Sequence, residues 1–128
     1  MSTLKVDSLV EKTNGNGVHI AGHVVQTVSN AVTSRQTSSS SSFVATDVAA
    51  TITPKFSNSK IIITICSTYS TEAAGRGIIC TIYRGSTNVT GSSSGIVHGL
   101  TDATSNSRTR AGVHISYVDN PNTTSATT

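Results

Sequence analysis

Six carboxylates, four imidazoles and two thiols are what this 128-residue chain offers for proton, metal or covalent chemistry. Glycan hydrolysis needs two carboxyl groups held about 5 to 9.5 Å apart. Asp7, Glu11, Asp47, Glu72, Asp102 and Asp119 each fall near a turn or strand end, where the ordinary role is capping or solvation. Glu72 and Asp102 could meet at one end of a sandwich, but no neighbour that would activate them is visible. Ser92 to Ser94 stand between Gly91 and Gly95, yet the flanking residues spell turns rather than the strand and helix of a nucleophile elbow. No catalytic residue is therefore expected, and the chain is read as not an enzyme.

Metal and redox chemistry fare similarly. His19 and His23 are four positions apart, which on a strand is about 13 Å on one face, too far for one ion. Three copies of His19 could converge on a threefold axis, but that would turn Val18 and Ile20 outward, so the apolar pattern favours an outward His19. Cys66 and Cys80 flank a turn centred on residue 73, and a symmetric hairpin would bring them opposite each other, close enough for a disulfide. The N-terminus shows no secretory signal, so the chain is expected to fold in a reducing compartment with both thiols free and buried. No cofactor and no metal are expected.

The formal net charge is +3, from nine cations spread along the chain: Lys5, Lys12, Arg35, Lys55, Lys60, Arg76, Arg84, Arg108 and Arg110. A nucleic-acid surface would concentrate such charge and interleave it with aromatics, which make up only 4% here, so no nucleic-acid partner is expected. No run of about 18 apolar residues exists, so no membrane insertion is expected either.

These residues must be held by strands. The chain has 21 Ser and 21 Thr, residues that compete for backbone hydrogen bonds in a helix and suit Thr-rich strands and Ser-rich turns. The densest apolar run follows a Pro-led turn in Thr51 to Cys66, where Ile61, Ile62, Ile63 and Ile65 are stiff at χ1 and favour a pleated strand. That stretch reads as a hairpin whose second strand, 60 to 68, is the buried centre of the domain. His23 to Val28 reads as the first strand of the main domain, and the serines at 38 to 42 as an edge segment before a buried Phe43 and Val44. Ile78 to Arg84, Ile96 to Leu100 and Thr109 to Val118 supply further strands. In the last of these Ala111, Val113, Ile115 and Tyr117 share one face, and Arg110, His114 and Ser116 the other. Strands separated by Gly, Ser and Asn turns describe an all-β chain, an antiparallel β-sandwich or jelly roll over residues 23–128.

Residues 1–22 differ. Leu4 and Val6, then Val18 and Ile20, mark two short strands around the Asn-Gly-Asn-Gly turn at 14 to 17. Two such strands cannot bury a core. They are expected to form a β-stranded stem in which Leu4, Val6, Val18 and Ile20 of three chains meet, making a homotrimer.

Several stretches together carry a resemblance. Met-Ser-Thr-Leu-Lys-Val-Asp-Ser-Leu at 1 to 9, Asn-Gly-Asn-Gly-Val-His-Ile-Ala-Gly-His-Val at 14 to 24, Ile-Thr-Pro-Lys-Phe-Ser-Asn-Ser-Lys-Ile at 52 to 61, and the final Asp-Asn-Pro-Asn-Thr-Thr-Ser-Ala-Thr-Thr resemble tail-fibre-like structural proteins of marine bacteriophages, cyanophages especially. The resemblance spans nearly the whole chain, and its motifs are structural. It implies a virion appendage assembled in the host cytoplasm, attached to the tail or another virion protein by its N-terminal segment, with its head facing the host. Similar proteins continue into a further strand where this sequence stops at Thr128. Host polysaccharide would then be met on the loops 68 to 77, 85 to 95 and 101 to 108, where Arg76, Arg84, Arg108 and Arg110 could pair with envelope phosphates or carboxylates. A capsid decoration or tail adaptor touching only other virion proteins is the alternative.

Overall fold

Alternation of apolar and polar residues over Thr109–Asp119 produces the most regular element of the protein, an eleven-residue strand with Val113 and Ile115 buried and Arg110, His114 and Ser116 exposed. In a computed structural model that describes residues 5–10, 20, 22–72, 75–100 and 109–128, this is the last of six strands. They are β1 Ile61–Thr71, β2 Gly77–Cys80, β3 Tyr83–Arg84, β4 Thr87–Asn88, β5 Val97–Leu100 and β6 Thr109–Asp119. All pairings are antiparallel, and the described residues contain no helix.

The strands form three two-stranded sheets: β1 with β6, β2 with β5, and β3 with β4. Their register explains the burial. On one face of the β1–β6 ribbon, Ile63 lies opposite Tyr117, Ile65 opposite Ile115 and Tyr69 opposite Ala111. Ile63, Ile65, Tyr69 and Tyr117 pack on Ile82, Val113 and Ile115, the three buried hydrophobic side chains among the described residues, together with Cys80 of β2, Val97 of β5 and Val89 just after β4. Tyr69 closes the gap between layers by lying on Gly99 of β5, where a Cβ would overlap the Tyr69 hydroxyl and ring.

The segment from β3 to β5 is held by polar contacts. Asn88 Oδ1 accepts from the hydroxyls of Thr81 and Thr90 at 3.2 and 2.8 Å and from the Thr90 amide at 3.1 Å, while its amide nitrogen donates to the Ser92 carbonyl at 2.9 Å. Tyr117 Oη donates to the Val89 carbonyl at 2.5 Å and ties this knot to β6. The C-terminal residues add a further link. Ile52 and Thr127 exchange both backbone hydrogen bonds at 2.8 Å, and the Gly85 amide donates to the Thr128 carbonyl at 2.8 Å.

Several expectations are corrected. Residues 51–66 do not form a hairpin, because Ile52 bridges Thr127 and β1 pairs with β6. β1 is not a buried central strand: it has one neighbour, and Ile62 on its outer face is 69% exposed. No hairpin centred on 73 joins Cys66 to Cys80. Cys66 lies opposite His114 and Cys80 opposite Val97, and both thiols are free. Neither is fully buried, Cys66 being exposed and Cys80 half-buried. Residues 23–28 make no strand, and the serines at 38 to 42 form local hydroxyl-to-backbone turns, with Phe43 and Val44 exposed rather than buried. In each case local propensity found a β-prone stretch but could not choose its partner.

Candidate functional site

The outer face of the β1–β6 ribbon is built by the residues that alternate with the core. Ile62 lies opposite Val118, Thr64 opposite Ser116, Cys66 opposite His114, Thr68 opposite Gly112 and Ser70 opposite Arg110. It is apolar at one end, hydroxyl-rich in the middle and cationic at the other.

That cationic end opens on a groove of about 2670 Å³ lined by Arg35, Arg76, Arg110, the serines at 38 to 42, Phe43 and Tyr83. Arg110 is an exposed position of β6, and Arg76 immediately precedes β2. Arg35 reaches the groove from the Ser/Thr-rich segment and pairs with Glu72 just beyond β1. Phe43 meets the Tyr83 ring edge-on at a centroid distance of 6.1 Å, which fastens the serine-rich segment to β3. A guanidinium fork presents several donors in one plane and matches phosphate or carboxylate oxygens, and hydroxyls around it can serve sugar oxygens. With Arg35 matched by Glu72, which also lines the groove, Arg110 and the surrounding hydroxyls are what it offers an anionic, polyhydroxylated ligand.

Not every residue expected at the surface is there. Arg84 turns inward and donates from Nη1 to both carboxylate oxygens of Asp119 at 2.7 Å. Its charge is matched by a carboxylate at the buried end of β6, so it is committed to the fold. Arg108 lies outside the described residues, as do Leu4 and Val18 of the expected stem. Val6 and Ile20 are described, and both are exposed. Sequence reasoning did not single out Arg35 or the Phe43–Tyr83 pair, since residues that distant in sequence offer no spacing signal.

Among the described residues no group of three His, Cys, Asp or Glu side chains is close enough to hold a metal ion. His98 and His114 lie on different sheets, and His19 falls outside the described residues. Burial pushes the Cys80 thiol above its ordinary pKa, which keeps it protonated and unreactive. No helix of the described residues is long and apolar enough to cross a membrane.

Burial of the large apolar side chains is unusually incomplete. Fifteen large apolar side chains among the described residues stand exposed, Leu100 at 77% and Val24 at 74% among them, against the three that are buried. Comparison of the chain with family models, with characterised proteins and with solved structures returns no match.

Proposed function

We propose that this chain is a structural subunit of a bacteriophage virion appendage, a tail fibre or a similar fibre-like part, that works as a homotrimer and contributes to host-surface adsorption. The observation that carries the proposal is the imbalance, among the described residues, between three buried and fifteen exposed large apolar side chains. A fold of this kind leaves its own apolar surface uncovered, and copies of itself are the simplest cover. Residues 1–22 then act as the stem that attaches to another virion protein, and residues 23–128 as a sandwich or jelly-roll head completed by its neighbours.

Adsorption is assigned to the groove at the Arg110 end of the β1–β6 ribbon. Its partner is an acidic polysaccharide of the host envelope, bound through phosphate or carboxylate groups and sugar hydroxyls. The role is binding without turnover. Virions labelled with an antibody against the chain, together with sedimentation of the purified protein and its binding to host polysaccharide, test this. Trimer mass, label at the tail and polysaccharide retention are expected. Label buried among capsid subunits would instead indicate a decoration or adaptor role, and shortened polysaccharide chains would indicate an enzyme.

A further inference from the structure

β1 presents an edge that an isolated chain would be expected to protect. Its eleven residues, Ile61–Thr71, include no charged residue and no Pro or Gly, so the usual devices that stop an edge strand from pairing are absent. On one side it pairs with β6. Among the described residues no backbone hydrogen bond reaches its other side, which leaves a row of N–H and C=O groups ready for another strand.

The same chain contains a segment with the complementary shortage. Val24-Val25-Gln26-Thr27-Val28 is uncharged and rich in β-branched residues, the composition of a strand. Among the described residues it has no ladder partner, and Val24 and Val28 are exposed. This segment and the first half of β1 line a single cavity of about 1170 Å³. An extended five-residue strand is about 16 Å long, 4.8 Å wide and 10 Å deep, or about 800 Å³. The open cavity that the two share is thus larger than one such strand.

Building on the homotrimer proposed above, we infer that residues 24–28 of one copy add as a strand to the free β1 edge of the next copy. Donor and acceptor are different surfaces, so the contact is head-to-tail and repeats around a ring until it closes. Both strands are neutral, so pairing them strands no charge.

The test uses two forms of the full chain in a Cys66→Ser background, an isotopically heavy one carrying Thr27→Cys and a light one carrying Thr64→Cys. They are mixed, refolded, treated with a short bismaleimide and digested for mass spectrometry. Adducts joining heavy residue 27 to light residue 64 are expected. A multimer that gives no such adduct overturns strand addition while leaving the trimeric appendage standing, whereas a monomer in solution overturns both. As a second arm, Gln26→Pro removes a ladder donor from the added strand and should reduce the solution mass to that of one chain, with Ser39→Pro unchanged. A Gln26→Pro protein that keeps the parental mass counts against the proposal.

Discussion

Arg84 Nη1 sits 2.7 Å from both carboxylate oxygens of Asp119, joining β3 to the last residue of β6. The Asp119 side chain is only 10% exposed and that of Arg84 30%, so the pair is better shielded than a surface ion pair. Removing the cation leaves a carboxylate with little access to water, whereas replacing both residues removes the need for a partner. Arg84→Ala is expected to cost about 1 to 3 kcal/mol by urea unfolding, and Arg84→Met with Asp119→Leu less than that.

Two glycines should respond differently to one methyl group. At Gly99 the added carbon would collide with the Tyr69 ring that joins the two layers, and overpacking of this sort typically costs about 1 to 3 kcal/mol. At Gly85, in the two-residue turn between β3 and β4, φ is +56° and nothing lies within 4 Å, so alanine meets only the left-handed penalty of about 1 kcal/mol. Thermal unfolding of Gly99→Ala and Gly85→Ala should show the larger loss for Gly99→Ala, together with altered near-ultraviolet tyrosine signals in that variant alone.

The thiols give a prediction in pH and in reactivity. Exposed Cys66 should react with a maleimide well before half-buried Cys80. Burial raises the folded pKa of Cys80, so the folded state holds the proton more tightly than the unfolded chain. The resulting stability is fully present below about pH 8.5, the unfolded thiol value, and is lost as pH rises through the folded pKa. Cys80→Ala should therefore show a shallower alkaline loss of stability than the parent, measured as the slope of unfolding free energy against pH.

Ile62 and Leu100 are expected to act between chains rather than within one. Both are exposed on outer strand faces, so Ile62→Lys and Leu100→Lys should change the unfolding free energy of a dissociated chain by no more than about 0.5 kcal/mol. Their effect should appear in sedimentation as a mass below that of the parent. Unchanged assembly in both variants would remove these faces from the interface.

What could be read from the chain alone follows a clear division. β6 was legible because alternation over eleven residues is a local pattern, and Val113 and Ile115 are buried where that pattern placed them. The antiparallel all-β character followed from β-branched runs separated by Gly, Ser and Asn. Partners were another matter. Cys66 was expected opposite Cys80 and lies opposite His114, because residues adjacent in a hairpin and residues brought together by a long crossover look alike in a single sequence. Arg84 was placed at a receptor loop for the same reason, since Asp119 gives no nearby sign of its pairing. The groove was half legible: Arg76 and Arg110 carried a signal in the sequence, whereas only the folded chain adds Arg35 and its partner Glu72 to the lining.

The pairing of β1 with β6 also sets a schedule. Thr71 meets Thr109 and Ile61 meets Asp119, so about 40 to 60 residues must be looped out before the longest ladder can zip, a closure that is slow for non-local strands. During synthesis the isoleucines of β1 emerge long before their partner exists. The newborn chain must carry a bare, uncharged strand until β6 has left the ribosome, and its yield in the cell should depend on how quickly sister chains or chaperones reach it.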